Sequence, residues 1–427
     1  MSWPPGRTPA GPPDTPRQAR SAPVPLPAGR GLWRLTAHQR AFADGVSNSQ
    51  TMITELTGAA GRKLEQAWCT PATLTFSLDG HHPTAALVTE LATDVIAWRW
   101  DQTAGGDRIM FKGIVAQSAD TISEQTHTVT FTCHDYAAVM SRRMLNIVAP
   151  YIAEDQDDIA ADLLSFAKYT HAMDNTFFGP GSYIPLTATP VAPNGTARGP
   201  SGQNRDRTYY PGTNIGTAFD ELSKVIGGFD YAVDPTADRL NIYYPYQGVT
   251  RADLELVYGN TVAALTRTVD SGSYGNYWRV LGNNGSSDPA AAQLFSERWN
   301  ADANNITVNP VGLWQGDDNA ADVTVQSTLD DKAAGDLALN GTLIPTYALT
   351  LRPGTYSTGR PNMGDVVPLV VNSGRLAVNT TVRVLGLTFD IGDDGNEDVS
   401  LTVGRPQRGL FDTVAANSRD VNALTRR

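Results

Sequence analysis

Runs in which every second residue is apolar recur along the chain, and that period commits much of it to β-strands. Leu74, Phe76 and Leu78 alternate with Thr73, Thr75 and Ser77. Ile96, Trp98 and Trp100 repeat the pattern, as do Ile109, Phe111 and Gly113 through Val115. Val129, Phe131 and Cys133 then alternate with Thr128, Thr130 and Thr132. A strand with one buried face requires this spacing, because successive side chains point to opposite sides. Polar or glycine-bearing turns separate the runs: Asp79-Gly-His-His82, Thr103-Ala-Gly-Gly-Asp107 and Ser123-Glu-Gln-Thr126. Short strands and turns at such intervals predict a small barrel or sandwich.

The period then changes. Asp157 and Asp158 are expected to cap a helix carrying Ile159, Leu163, Phe166 and Ala167 on one side. A second helix starts near Asn214, with Ile215, Ala218, Phe219, Leu222, Val225 and Ile226 at helical spacing, and Gly227-Gly228 ends it. Phe229 to Val233, the Asp234-Pro-Thr-Ala-Asp238 turn and Leu240 to Tyr244 read as a hairpin. From Leu265 onward strands return, at Tyr277 to Gly282, Thr346 to Arg352, Val366 to Val371, Val382 to Ile391 and Val399 to Val403. One internal repeat is visible. Gly113-Ile-Val-Ala through Cys133 and Val384-Leu-Gly-Leu through Val403 are both a strand, a polar turn and a strand.

The expected fold is mainly β with an α+β insert, two β-barrel domains flanking a small helix-plus-hairpin domain. The boundaries are a Pro-rich N-terminal arm at 1–45, a first barrel at 46–150, an α+β domain at 151–260 and a second barrel at 261–406. A long polar loop at 176–212 interrupts the α+β domain, an insertion at 283–330 interrupts the second barrel, and 407–427 is a tail. The arm assignment rests on proline, nine of the 27 falling in the first thirty residues, which fixes φ and removes backbone donors.

The search for chemistry nominates no catalytic, cofactor-binding or metal residue. A net charge of −11 gains nothing from counterion release, which excludes a dedicated nucleic-acid binder. Cys69 and Cys133 show no metal or redox spacing and are expected as half-buried thiols in a reducing interior. No apolar run approaches the ~18 residues of a membrane span, and the start lacks the apolar region of a secretory signal. Histidines 38, 81, 82, 127, 134 and 171 form no zinc motif, and His134-Asp135 lacks a nucleophile to serve. The acidic stretch Asp390 to Asp398 places Gly392 and Leu401 where a calcium loop needs oxygens, so a hairpin turn is expected instead. Asp157-Asp158 and Asp220-Glu221 are sequence neighbours on helices and point about 100° apart, which is no acid/base couple. Trp98, Trp100, Tyr209, Tyr210, Tyr243, Tyr244, Tyr246 and Trp278 supply apolar area, mostly for the core, with Tyr209 and Tyr210 in the polar loop as interface candidates.

The order of local motifs is also distinctive. Glu55-Leu-Thr-Gly-Ala-Ala-Gly-Arg-Lys-Leu64, Pro71 to Gly80, Ala85 to Val95, Arg205-Asp-Arg-Thr-Tyr209, Asn214 to Tyr231 and Val269 to Gly282 follow one another. In this order they resemble minor tail proteins of actinobacterial siphophages, over roughly residues 45 to 406. The resemblance implies a non-enzymatic tail-tip baseplate hub with two tail-tube-like barrels, without cofactors, located in the virion tail and assembled in the host cytoplasm. It further implies a homotrimeric ring joining the tube to tip fibres or a spike. The partners it implies are the distal tail protein, the tape measure protein and other tip proteins, with genomic DNA passing through unbound and no membrane insertion by this chain. The few residues after the last expected strand imply no appended lytic or sugar-binding domain. Two other functions are open: a host-surface glycan adhesin using loops 176–212 and 283–330, and, with less support, a wall hydrolase.

Overall fold

The computed structural model describes residues 32–40, 51–168, 184–223, 227–282, 293–319 and 326–404, apart from Thr103, Asp270, Ser273, 357–360 and 394–395. The Pro-rich stretch before residue 32, residues 176–183 of the polar loop and the expected tail lie outside the described residues. The fold is mainly β with an α+β insert.

The first β region contains β1 (Trp33–Gln39), β2 (Thr51–Glu55), β3 (Ala60–Ala67), β4 (Thr73–Asp79), β5 (Thr93–Asp101), β6 (Gly106–Ile122) and β7 (His127–Asp135). They lie side by side as β3-β4-β7-β6-β5-β1-β2, every pair antiparallel. Strand β1 falls inside the stretch expected as an arm. Its Trp33, Leu35 and Ala37 alternate and are buried against β5, so the apolar face outweighs the neighbouring prolines.

The middle unit contains β8 (Ala149–Asp155), α1 (Gln156–Lys168), β9 (Thr187–Val191), β10 (Asn204–Tyr209), α2 (Ile215–Ser223), β11 (Asp230–Asp234) and β12 (Arg239–Tyr243). The expected hairpin is β11–β12, and β9 joins it in parallel. The polar loop at 176–212 therefore contains two strands, β9 and β10, the latter paired with β8. The capping expectation needs correction: Asp155, not Asp157, accepts the first-turn N–H, from Asp157 at 2.9 Å. Asp157 is buried and takes both Arg198 terminal nitrogens, at 2.6 and 3.0 Å. Ile159, Leu163, Phe219, Leu222, Leu240 and Ile242 form this unit's own core. Phe219 meets Phe229 and Tyr231 edge-on, at 5.5 and 5.0 Å between centroids.

The second β region contains β13 (Leu256–Val257), β14 (Val262–Val269), β15 (Tyr277–Leu281), β16 (Phe295–Trp299), β17 (Gln315–Asn319), α3 (Gln326–Asn340), β18 (Pro345–Leu351), β19 (Val366–Ser373), β20 (Leu376–Ile391) and β21 (Glu397–Gly404). Strands β15 to β17 and α3 form a separate lobe, with order β16-β15-β17 and Val280 packed on Leu329 and Ala333 of the helix. The described residues of the weakly patterned insertion expected at 283–330 belong to this lobe.

Without the lobe, the second region repeats the first. In chain order β3, β4, β5, β6 and β7 correspond to β14, β18, β19, β20 and β21. The lateral order β3-β4-β7-β6-β5 reappears as β14-β18-β21-β20-β19, all antiparallel. Even the irregularities agree, since β6 bulges between Val115 and Gln117 and β20 between Val384 and Gly386. The hairpin repeat visible in the sequence is thus the last third of a duplicated five-strand module.

The two modules share one 13-stranded sheet and one hydrophobic core. Their joint is β20. Residues up to Arg383 pair with β19, whereas Gly386 to Ile391 pair with β3 of the first module. Phe389 lies opposite Leu64 across this joint, and both are 0% exposed.

Candidate interaction surfaces

Three ionic contacts hold the units together, two of them buried and the third partly buried. Arg383 of β20 donates to Asp230 of β11 at 2.5 Å and to the Gln247 carbonyl at 2.9 Å. Its Nε reaches the Gly364 carbonyl at 3.2 Å, and its guanidinium stands 5.4 Å from the Trp68 ring. Asp230 also accepts the Gln247 N–H at 2.7 Å and the Cys69 thiol at 3.6 Å. Gly248 and Gly364 have φ of +90° and +81° beside this node, and a Cβ on either would lie within about 2.2 Å of the other's backbone neighbourhood. Arg99 of β5 grips Glu397 of β21 at 2.9 Å through Nε and 2.5 Å through a terminal nitrogen, and Trp33 Nε1 donates to the same carboxylate at 2.6 Å. Lys112 of β6 binds both Asp238 oxygens at 2.8 Å. The sequence reading missed all three contacts, because their partners lie over a hundred residues apart.

The free edges of the sheet are the second feature. Strand β14 pairs with β18 on one side, and among the described residues Ala264 to Val269 pair with no strand on the other. Among the described residues, Gln117 to Ile122 of β6 pair with β7 alone. Ile122 at this edge is 72% exposed. Unpaired edges of this length present a row of backbone N–H and C=O groups able to pair with a further strand.

The lobe is the third. Phe295, Trp299, Val308, Leu313 and Trp314 are exposed there, Trp299 at 55% and Trp314 at 49%, with Tyr277 stacked on Trp299 at 6.1 Å. The aromatics nominated from sequence are distributed otherwise. Trp100 and Tyr209 are buried, so Tyr209 is a core residue with its ring edge-on to Tyr151, while Tyr210 is 42% exposed. Trp98 donates to Thr36, Trp278 donates to the Gly275 carbonyl, and Tyr246 is exposed beside Arg383. Tyr243 and Tyr244 are half-buried. Trp299 and Trp314 belong to the 283–330 insertion on which the adhesin alternative draws, in a segment that carries no strand period.

Residues that suggested chemistry have structural tasks. His134 bonds Thr73, His127 bonds Asp120, and His82 bonds Thr84. His171 lies outside the described residues. Gly392 donates to the Asn396 carbonyl, closing the β20–β21 turn within the acidic stretch. Cys133 is buried, and burial pushes its thiol well above the usual range. Asp135 accepts N–H bonds from Ala72 at 2.7 Å and Ala137 at 2.9 Å. Burial nevertheless pushes its carboxyl up to about 7, from an ordinary 3.8. With the folded value above the unfolded one, folding takes up a proton. The associated stability is complete below the ordinary value and is lost as pH rises through about 7. Asp135→Asn cannot ionise, so its stability relative to wild type should rise across roughly pH 4 to 8 in urea unfolding. A constant difference would contradict the raised carboxyl.

No protein-family model matches the sequence, and no curated protein matches it either. Solved structures do. The 43 kDa tail protein of prophage MuSo2 from Shewanella oneidensis superposes with a TM-score of 0.56 at 11% identity, over 88% of this chain and 98% of that one. The tail protein from Neisseria meningitidis MC58 gives 0.53 at 11% identity, over 90% and 99%. At such identities the similarity is one of architecture, and this chain has the fold of phage tail proteins.

Proposed function

We propose that this chain is a structural, non-enzymatic hub at the tip of a bacteriophage tail, closing into a ring of three copies. The observation that carries the reading is the duplicated five-strand module within a fold shared with tail proteins. Three chains bring six equivalent modules around one axis, so a threefold assembly can meet a sixfold tube. The buried contact Arg99–Glu397 fixes the modules to each other, and Arg383–Asp230 fixes the second module to the α+β unit, as a rigid ring segment requires. The siphophage assignment and the partners (distal tail protein, tape measure protein and other tip proteins) follow from the resemblance in sequence. Genomic DNA passes without specific binding, in keeping with the net charge of −11.

The test is the mass of the purified protein in solution and its copy number in isolated tails. Three copies per tail, or a multiple of three, at the tip supports the hub. Copies spread along the tube, or a monomer absent from tails, overturns it. A second reading draws on the lobe, whose exposed Trp299 and Trp314 suit stacking on sugars of a host surface. That adhesin reading requires the isolated protein to sediment with cell walls, and to stop doing so once both tryptophans are alanine.

A further inference from the structure

The duplicated module contains its own instruction for how copies join. Within one chain, the β20 segment Gly386–Ile391 pairs with β3, the first strand of the other module. By the shared registers, Leu387, Phe389 and Ile391 correspond to Ser118, Asp120 and Ile122 of β6, because each set faces the matching residues of β21 and β7. On the other strand, Leu64 of β3 corresponds to Arg267 of β14, since Leu64 faces Leu74, Arg267 faces Tyr347, and those two face Cys133 and Val403. Inside the chain the joint is occupied. Its equivalents, β6 beyond the bulge and β14, are the two free edges described above.

Resting on the ring reading, we infer that β14 of one copy pairs antiparallel with Gln117–Ile122 of the next, repeating the β3–β20 joint between chains. The internal pairs Leu387–Gln66, Phe389–Leu64 and Ile391–Arg62 give the register. Between copies they become Ser118–Val269, Asp120–Arg267 and Ile122–Leu265. The side chains suit that register. Asp120 and Arg267 are exposed and oppositely charged, whereas their internal counterparts Phe389 and Leu64 are fully buried. Ile122, 72% exposed in the single chain, meets half-buried Leu265. An edge that waits uncovered until assembly is kept from random pairing by charge, and a charge of the opposite sign makes it selective.

The experiment uses the full chain, alone and in assembled tails. Ser118→Cys with Val269→Cys should give covalent trimers with a short thiol-reactive cross-linker. Ser118→Cys with Leu265→Cys, displaced four residues along β14, should give few, and single-cysteine variants none. Asp120→Arg and Arg267→Asp should each weaken association at least about tenfold, and the double exchange should restore it. Far-ultraviolet circular dichroism and melting of the monomer should be unchanged in all of them. If wild type assembles as threefold tips but the in-register pair fails to cross-link and charge exchange restores nothing, this joint is wrong while the ring stands. If wild type is monomeric alone and absent from tails, the ring reading falls and takes the joint with it.

Discussion

Replacing Arg383 by methionine should lower the unfolding free energy by about 3–5 kcal/mol, the usual cost of removing one partner from a buried ion pair. Arg383 is 3% exposed and Asp230 is 0% exposed. Methionine fills similar volume, so the loss reports the polar contacts rather than a cavity. The Asp230 carboxylate would keep the Gln247 N–H and the Cys69 thiol but lose its cation, and the Gln247 and Gly364 carbonyls would each lose a donor. Asp230→Asn combined with Arg383→Met should cost less than the sum of the two single changes, because the double variant leaves no uncompensated buried charge. Chemical denaturation of the four proteins measures the cycle. Additive losses, or a single loss below about 1 kcal/mol, would mean that the node is a bystander to packing.

The second large effect is expected at Phe389→Ala, with a loss of about 3–5 kcal/mol. The Phe389 ring is 0% exposed, 5.4 Å from Trp33 and 5.2 Å from Tyr356, and stands between Leu64 and Val399 on the flanking strands. Truncation opens a cavity in the joint between modules, which backbone pairing on both sides prevents from collapsing. The equivalent position in the first module is Asp120, exposed at the free edge. Asp120→Ala in the monomer should therefore change stability by no more than about 0.5 kcal/mol. Comparable losses at the two positions would mean that the modules are not equivalent in the way their registers suggest.

Much of this architecture was legible because one-sided burial leaves a period in the sequence. Leu74, Phe76 and Leu78 of β4 show it, and all three are buried with polar residues between them. The same period runs through Trp33, Leu35 and Ala37, but the prolines before it mask the signal and place it in the expected arm. Other strands left no such trace. β10 is Asn-Arg-Asp-Arg-Thr-Tyr and β17 is Gln-Gly-Asp-Asp-Asn, and both are strands because neighbours offer ladder partners, not because of an apolar face. Helix α3 buries Leu329 and Ala333 at i, i+4 within a polar sequence, too little to stand out. The duplication was legible only in its final hairpin, since the lobe separates the first two strands of the second module. The interaction surfaces were least legible, because a free edge is a property of which strand is missing beside it.

The lobe is spliced in where it disturbs least. Val269 and Pro345, the residues on either side of it, face each other across the β14–β18 ladder. Its two attachment points are therefore as close as the ends of an ordinary hairpin turn, and the ladder registers whether anything hangs from them or not. Such a site is a socket. Related chains can exchange, enlarge or dispense with what is plugged in there while keeping the underlying sheet, so the lobe and the sheet are free to change on separate schedules.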